Sequence, residues 1–215
     1  EGIQFKTKSD TEVILKLYEK YGTESFGMLD GMFAFSIHDK RNNKLYITRD
    51  FFGEKPLYYT SLNNQFLWAS ELKSIRKLLS SVPAISSKGL NLFFRLTYVP
   101  APHTIYEGVH KLEANHFIDY NLEDHSFGIH KINNEPAPKE QSISFDNAKK
   151  KVKDMVYNSV ESRSVSDVPL GTFLSGGVDS SIVSLCLSQS TGKKIDTFSI
   201  GFKKTSYDES DKART

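Results

Sequence analysis

Residues 174–181, LSGGVDSS, bring two glycines, an aspartate and three serines together between two apolar segments. Glycines let backbone N–H groups approach an anion closely, and serines at the start of a helix add hydroxyl donors beside its free N–H groups. Asp179 would repel a phosphate unless a divalent cation lay between them. A plain strand-to-helix turn with a polar cap explains part of this pattern. The whole pattern predicts a site for a polyphosphate.

The loop differs from the most common phosphate-binding loop. The pattern G-x-x-x-x-G-K-S/T is absent from the sequence, and residues 174–181 contain no lysine. The lysine-bearing loop holds ATP for cleavage at the γ-phosphate. A loop built from serine and glycine suits an enzyme that cleaves ATP between the α- and β-phosphates, and this is the chemistry we expect here.

The segments around the loop predict a parallel α/β unit. The apolar run 168–174 is typical of a buried strand, and residues 180–190 and 194–202 have the patterns of a helix and a second strand. An amphipathic helix is predicted before them, over 144–163. Because ligands collect at the carboxyl ends of parallel strands, this order places the loop where a nucleotide would bind.

The first half of the chain has the pattern of an antiparallel α+β structure. The segment SDTEVILKLYEKYG predicts a helix with a capping box formed by Ser9 and Glu12 and a C-cap at Gly22. Aromatic and β-branched runs follow, with connections too short for parallel crossovers. These predicted strands are residues 32–39, 44–50, 56–61 and 65–72. A short helix over 69–79 and a hairpin over 104–122 complete this half.

A change of composition divides the chain. Residues 132–144, INNEPAPKEQSIS, contain two prolines and few apolar side chains, which is typical of a linker. We therefore predict a first domain over 1–131, a linker over 132–144 and a second domain over 145–215. The chain starts without an initiator methionine and ends abruptly, so we expect it to be an internal piece of a longer protein.

Composition limits the classes of partner. The net charge of +2 gives no reason to expect nucleic-acid binding or a polybasic membrane patch. No apolar run approaches the roughly 18 residues of a membrane span, and the polar first residues do not form a signal peptide. The one cysteine, Cys186, excludes an internal disulfide and fits a reducing compartment. We expect a cytoplasmic protein without a nucleic-acid or membrane partner.

Two sets of motifs resemble a known family. The segments DVPLGTFLSGGVDSSIVS, FSIGF and YDES, with Ala213 and Arg214, resemble the ATP pyrophosphatase domain of glutamine-dependent asparagine synthetases. Upstream, SDTEVIL, GMFAFSIHD, RDFFGEKPLYY and ASELK are similar to the class II glutaminase domain fused to it. The resemblance implies an antiparallel α+β portion of the Ntn type, followed by an α/β parallel-sheet portion of the adenine nucleotide alpha hydrolase-like type.

The resemblance also implies a reaction. In that family, ATP adenylates the side chain of aspartate and pyrophosphate leaves, after which ammonia from glutamine attacks the activated acyl group and releases AMP. The implied enzyme is an ATP-dependent carbon–nitrogen ligase of asparagine biosynthesis. Its expected small-molecule partners are glutamine, aspartate and ATP with Mg²⁺, and the resemblance leaves a homodimer open.

The family's functional residues carry over by motif. Those that would hold the departing pyrophosphate are Ser175, Gly176, Gly177, Asp179, Ser180 and Ser181. Asp179 is also the expected magnesium ligand, and backbone groups of Leu174 and Ile200 would border the adenosine. Asp10 matches the aspartate that receives the α-amino group of glutamine, although the helix dipole favours an aspartate there in any case.

Some parts of the family pattern have no counterpart here. The family's glutaminase nucleophile is an N-terminal cysteine, whereas this chain begins with Glu1, so no catalytic residue is assigned. We expect the chain alone neither to hydrolyse glutamine nor to make asparagine. The family's KLPPGH appears as KLEANH around His116, which leaves the shape of that hairpin open.

Other residues carry structural expectations. Cys186 should be a small buried hydrophobic residue. We expect Arg49 and Asp50 to brace strands, and Tyr58 and Tyr59 to point to opposite faces of one strand. The six histidines show no zinc-ligand spacing.

Three other functions fit parts of the sequence. A homologue resembling β-lactam synthetase would keep the adenylating chemistry without glutaminase activity. A pseudoenzyme would bind nucleotide without turnover, and the complete serine and glycine loop argues against it. A tRNA-modifying ATP pyrophosphatase is disfavoured by the near-neutral charge and by the lack of catalytic cysteines.

Overall fold

The computed structural model describes residues 4–62, 64–133, 142–192, 194–204 and 208–214. It divides into two compact units, Glu1–Ala137 and Pro138–Thr215. Most of the predicted linker, residues 134–141, lies outside the described residues, so the linker stays a prediction.

Helix α1 opens the first unit at Asp10–Tyr21 and ends at Gly22, as predicted. Gly22 has a φ of 58° and donates its N–H to the carbonyl of Tyr18, a conformation that glycine adopts without strain. The predicted capping box is wrong in its details. Ser9 accepts from the N–H of Thr11, while the Glu12 carboxylate reaches past Ser9 to the N–H groups of Lys6 and Thr7.

Two antiparallel sheets form the body of the first unit. Four strands, in the order β1-β2-β6-β7, make the first sheet, and three strands, in the order β4-β3-β5, make the second. The strands are β1 Ala34–Asp39, β2 Lys44–Arg49, β3 Tyr58–Leu62, β4 Gln65–Ala69, β5 Val109–Lys111, β6 His116–Asn121 and β7 Phe127–Lys131. The four strands predicted between residues 32 and 72 are confirmed, as is their antiparallel pairing within each hairpin.

The two sheets of the first unit, helix α1 and a second helix form four layers, because successive side chains of a strand point to opposite faces of its sheet. Ile47 and Ile118 on the inner face of the first sheet share one core cluster with Leu57 and Tyr59, which lie just before and within β3 of the second sheet. On the outer face of the first sheet, Tyr46 contacts Tyr18 of α1, with ring centroids 5.7 Å apart. Helix α2, Leu72–Leu78, covers the other face of the second sheet through the fully buried side chain of Ile75. The order is therefore helix, sheet, sheet, helix.

The predicted hairpin over 104–122 is wrong. Strand β5 pairs with β3 and strand β6 pairs with β2, so the chain crosses from one sheet to the other between Lys111 and His116. In the described part of the first unit, three elements had no sequence prediction: the 3-10 helix Gly22–Met28, helix α3 Ser87–Leu96, and strand β7.

The second unit contains the predicted α/β elements. Helix α4, Phe145–Ser162, precedes strand β8, Gly171–Phe173, helix α5, Val178–Thr191, and strand β9, Asp196–Phe198. Strands β8 and β9 are parallel, as predicted. A short helix α6, Ser210–Arg214, follows. The Thr172 and Ser184 hydroxyls, 2.8 Å apart, join β8 to α5.

Burial in this unit differs from the prediction. The first strand was expected to be buried, but Phe173 in β8 is largely exposed, as is Phe198 in β9. The described residues of this unit supply a sheet of only two strands with three residues each, which is too small to bury the side chains of both strands. Cys186 is half-buried rather than buried, because Leu187 beside it is the side chain of α5 that enters the interior.

Candidate functional site

The serine and glycine loop lies at the carboxyl ends of two parallel strands. The N–H of Leu174 donates to the carbonyl of Phe198 over 2.8 Å, and the Ser199 hydroxyl donates to the carbonyl of Leu174 over 2.6 Å. These bonds fix the start of the loop against the end of β9. Leu174 and Ile200 thereby come to the same side of the sheet edge.

Gly176 occupies a position that only glycine fits. Its φ is 76°, and a β-carbon built on it would lie 2.4 Å from the Lys212 Cβ, 2.7 Å from the Lys212 carbonyl carbon and 2.9 Å from the Ala213 nitrogen. Two of these three atoms belong to the backbone of α6. The loop therefore turns in direct contact with α6, and any side chain at residue 176 would separate them.

Helix α5 begins at this loop without a side-chain cap. Gly177 is its N-cap, and it has no side chain to occupy the N–H groups of the first turn. The hydroxyls of Ser180 and Ser181 donate to the carbonyl of Gly177, and the Ser175 and Ser180 hydroxyls lie 3.0 Å apart. Asp179 is exposed on the same first turn. The predicted phosphate-binding residues are thus neighbours in space.

A cavity of about 230 Å³ opens beside the loop. Leu174, Ser175 and Ile200 line it, together with the rings of Phe173 and Phe198. The residues predicted to border adenosine are therefore brought together around one apolar hollow. The other five predicted residues form the adjoining turn: Gly176, Gly177, Asp179, Ser180 and Ser181.

Asp10 lies in the first unit, at the first residue of α1. Its carboxylate accepts the N–H of Thr11 over 2.7 Å, which is the dipole-favoured arrangement at a helix start. The same residue lines a cavity of about 400 Å³ whose walls include Met32, Phe35 and Lys55. Lys55, which lies within the RDFFGEKPLYY motif, also lines this cavity and was not singled out from the sequence.

A buried network holds the loop that carries Lys55. Arg49 is 5% exposed and donates through Nε to the carbonyl of Lys55 over 2.8 Å, with further bonds to the carbonyls of Gly53 and Leu112. Burial lowers the pKa of the Arg49 guanidinium. The fully buried Asp50 carboxylate accepts the N–H groups of Glu54 and Lys55, at 2.8 and 3.0 Å. Arg49 and Asp50 thus have a bracing role, as expected, but most of their bonds hold the loop of residues 53–55 and not the strands.

A second polar contact joins α1 to the first sheet. The Tyr18 hydroxyl donates to Oδ2 of Asp39 over 2.8 Å, and this hydrogen bond is the main cause that lowers the pKa of Asp39 to about 2. Burial, and then the same bond, raises the pKa of Tyr18. Asp39 also accepts the N–H groups of Arg41 and Asn42, so it fixes the turn between β1 and β2.

The described residues contain neither a cluster of metal-ligating side chains nor a helix that could span a membrane. No three His, Cys, Asp or Glu side chains in the described ranges lie close enough together to hold a metal ion. Among the helices of these ranges, none is both long enough and apolar enough to cross a membrane.

The chain belongs to the glutamine amidotransferase family. The family model described as the glutamine amidotransferase domain matches residues 1–131, and the model described as asparagine synthase matches residues 151–215. The family match and the antiparallel sheets of the first unit agree with the predicted α+β glutaminase portion.

The relatives give a narrower likeness. The chain is 38% identical over its whole length to glutamine-hydrolyzing asparagine synthetase 1 of Bacillus subtilis and covers 33% of that protein. It is 33% identical to asparagine synthetase 3 of the same species, with 98% of the chain and 34% of the relative covered. The resemblance to glutamine-hydrolysing asparagine synthetases is therefore confirmed. The chain spans about a third of the length of these relatives.

Solved structures show a weaker likeness. The glutamine phosphoribosylpyrophosphate amidotransferase of B. subtilis matches with a TM-score of 0.41 and 17% identity, over 94% of this chain and 42% of that chain. A structure titled as the allosteric regulatory enzyme of purine biosynthesis matches with a TM-score of 0.43 and the same identity. Scores this low add nothing to the family assignment.

Proposed function

We propose that this chain is part of an ATP-dependent amide ligase that forms asparagine from aspartate, with ammonia taken from glutamine. The reaction would proceed through a β-aspartyl adenylate and release AMP and pyrophosphate. The order of the two family matches and the names of the relatives support this proposal. Residues 1–131 would belong to the glutamine-binding domain and residues 145–215 to the synthetase domain of a cytoplasmic enzyme.

One observation carries the ATP-binding part of the proposal. The turn at Gly176 is in close contact with α6 and leads directly into helix α5, whose first turn has no side-chain cap. Backbone N–H groups at such a turn and helix start are well placed for an anion, because their dipoles are oriented before the anion arrives. In the reaction, the same dipoles would stabilise the charge that develops on departing pyrophosphate.

The residues present also fit a magnesium ion bound together with ATP. Magnesium, when bound, would neutralise charge on the phosphate oxygens. It is commonly held by one or two carboxylates plus phosphate oxygens and water, so a cluster of protein ligands is not required. The exposed carboxylate of Asp179 is the residue that would hold it. Its place on the first turn of α5 puts it next to the expected phosphates.

The cavity beside the loop fits the nucleoside end of the substrate. Leu174, Ile200 and three phenylalanines, Phe173, Phe198 and Phe202, form the apolar part of its walls, and the polar part consists of Ser175, Ser199, Glu209 and Ser210. An adenine ring could be buried there while backbone groups at Leu174 and Ile200 meet its polar edge. Adenosine and the phosphates would then bind to consecutive parts of one loop, which supports the proposal of ATP as the ligand.

The test uses calorimetric titration of the 215-residue chain with ATP in the presence and absence of magnesium. Asp179→Asn should weaken binding of magnesium-ATP about tenfold or more, equivalent to at least about 1.4 kcal/mol, because a charge-assisted metal contact is lost. The affinity for metal-free ATP should stay the same or rise, since a repulsive carboxylate is gone.

Asp167→Asn is the matched control, because it makes the same charge change at an exposed residue before β8. It should leave both affinities unchanged. A wild-type chain that binds neither form of ATP would show that the proposed nucleotide site is wrong. An equal loss in both variants would show that Asp179 acts only through net charge.

A further inference from the structure

Asn115 is a buried polar residue whose hydrogen bonds join separate segments of the first unit. It is 3% exposed, and its φ of 61° lies in the left-handed region, which asparagine adopts more readily than most residues. Its N–H donates to the carbonyl of Asp50 over 2.9 Å, and its carbonyl accepts the N–H of Ile132 over 2.8 Å. The backbone of Asn115 therefore ties the turn before β6 both to Asp50 and to the chain that leaves β7.

The side chain of Asn115 adds a second pair of bonds at the point where the chain leaves β7. The last residue pair between β6 and β7 is His116 with Lys131. Beyond this pair, Nδ2 of Asn115 donates to the carbonyl of Asn133 over 2.9 Å, and Oδ1 accepts the N–H of Asn133 over 3.1 Å. The side-chain amide thus offers one donor and one acceptor to a single residue, as the backbone of a neighbouring strand would.

Asn133 is also held at its side chain. The side-chain amide of Asn133 lies against Gly27 of the 3-10 helix, so closely that a β-carbon built on Gly27 would overlap it. Ile132 and Asn133, the first two residues of the predicted linker, are therefore bonded to the body of the first unit. Because the pairing of β7 ends at Lys131, their attachment within the described residues depends chiefly on Asn115.

We propose that Asn115 is a latch that holds the chain at the exit of the first unit and shields the peptide bond after Lys131 from proteases. A protease binds its substrate as a free extended segment, so residues on both sides of the cleaved bond must first leave the fold. While the latch is closed, Ile132 and Asn133 stay bonded. Its opening would expose the junction and leave the rest of the unit folded. The inference does not depend on the proposed reaction.

Two matched substitutions of asparagine by glycine test the latch in the 215-residue chain. Asn115→Gly removes the side-chain bonds to Asn133 and keeps a residue that suits a positive φ. Asn43→Gly is the control. Asn43 also has a positive φ, 49°, but its side chain bonds Glu123, which lies in a different turn.

Two rates are measured for each variant. Amide hydrogen exchange at Asn133, followed by NMR, reports the opening of the latch, and mass spectrometry gives the rate at which trypsin cuts after Lys131. Asn115→Gly should raise both rates about tenfold, because each lost hydrogen bond changes the opening equilibrium by roughly two- to tenfold. Asn43→Gly should change neither rate, since opening of the exit does not break the bond of Asn43. Low urea concentrations should raise both rates only slightly, because a local opening exposes little surface.

Other results would overturn the inference. Wild-type rates in Asn115→Gly would show that Asn115 does not hold the exit, and faster exchange without faster cleavage would show that it does not shield the bond after Lys131. Equal acceleration in both variants would show that a loss of stability of the whole unit is responsible. Rates that rise steeply with urea would show that the exit opens only when the unit unfolds, so that no separate latch exists.

Discussion

Replacing Gly176 by alanine tests whether the contact between the loop and α6 shapes the proposed nucleotide site. The chain offers a matched control in Gly192, the C-cap of α5. Both glycines have a left-handed backbone, with φ of 76° and 62°. A β-carbon at Gly192 would meet nothing within 4 Å, whereas at Gly176 it would meet Lys212 and Ala213. The pair therefore separates backbone strain from steric displacement.

The magnitudes follow from this difference. Alanine in the left-handed region costs about 1–2 kcal/mol of stability at either position. At Gly176, contacts of 2.7 and 2.9 Å to backbone atoms cannot be relieved by rotating a side chain, so the loop and α6 must separate. A displacement of the N–H groups that would face the phosphates in the proposed site should weaken ATP binding about tenfold or more, equivalent to at least about 1.4 kcal/mol.

The assay combines calorimetric titration with ATP and urea unfolding of both variants. Gly192→Ala should lose stability and keep its affinity for ATP. Gly176→Ala should lose at least as much stability together with its affinity. If Gly176→Ala binds ATP as tightly as the wild type, the contact with α6 does not shape the site. If both variants lose affinity equally, strain in α5 explains the loss and the steric argument is refuted.

Two further predictions concern the first unit. Arg49→Lys should lower the free energy of unfolding by about 2–4 kcal/mol, because at least two of the carbonyls of Gly53, Lys55 and Leu112 lose their donor. Urea unfolding should show no such loss for the control Arg41→Lys, which changes an exposed arginine. An equal loss in both variants would contradict the bracing role of Arg49. Tyr18→Phe removes the main cause of the low pKa of Asp39, so NMR titration should find that pKa raised from about 2 toward the ordinary 3.8. A carboxyl group whose pKa is lowered in the folded state stabilises the fold at pH values above its unfolded pKa, and this stabilisation is lost as the pH falls through the folded pKa. The stability advantage of the wild type over Tyr18→Phe should therefore disappear between about pH 4 and pH 2. An unchanged Asp39 pKa in Tyr18→Phe would show that the hydrogen bond does not cause the shift.

Local patterns in the sequence predicted the elements better than their pairing. Alternation of apolar residues and short turns were enough to find β1 to β4, and these strands pair with near neighbours. The segment 104–122 has the same local pattern, yet β5 and β6 enter different sheets. Pairing of that kind depends on partners some 50 to 80 residues away along the chain, which no window of local sequence contains.

In the candidate site of the second unit, local features were likewise predicted and contacts between distant residues were not. The composition of residues 174–181 was enough to predict a turn that leads into the start of a helix. The reason that residue 176 must be glycine lies in α6, which is distant in sequence and was not predicted as the neighbour of the loop. Lys55 was missed for a similar reason, because only the fold brings it to the cavity that Asp10 lines.

The buried charges of the first unit are better explained by geometry than by stability. A guanidinium and a carboxylate removed from water lose hydration, and apolar residues of similar volume often stabilise a core as well or better. Arg49 and Asp50 instead bond the backbone of residues 53–55 from both sides. Apolar packing is non-directional and could not fix that backbone so closely. Arg49 and Asp50 thus position the loop of residues 53–55, and Lys55 at the end of that loop lines the same cavity as Asp10.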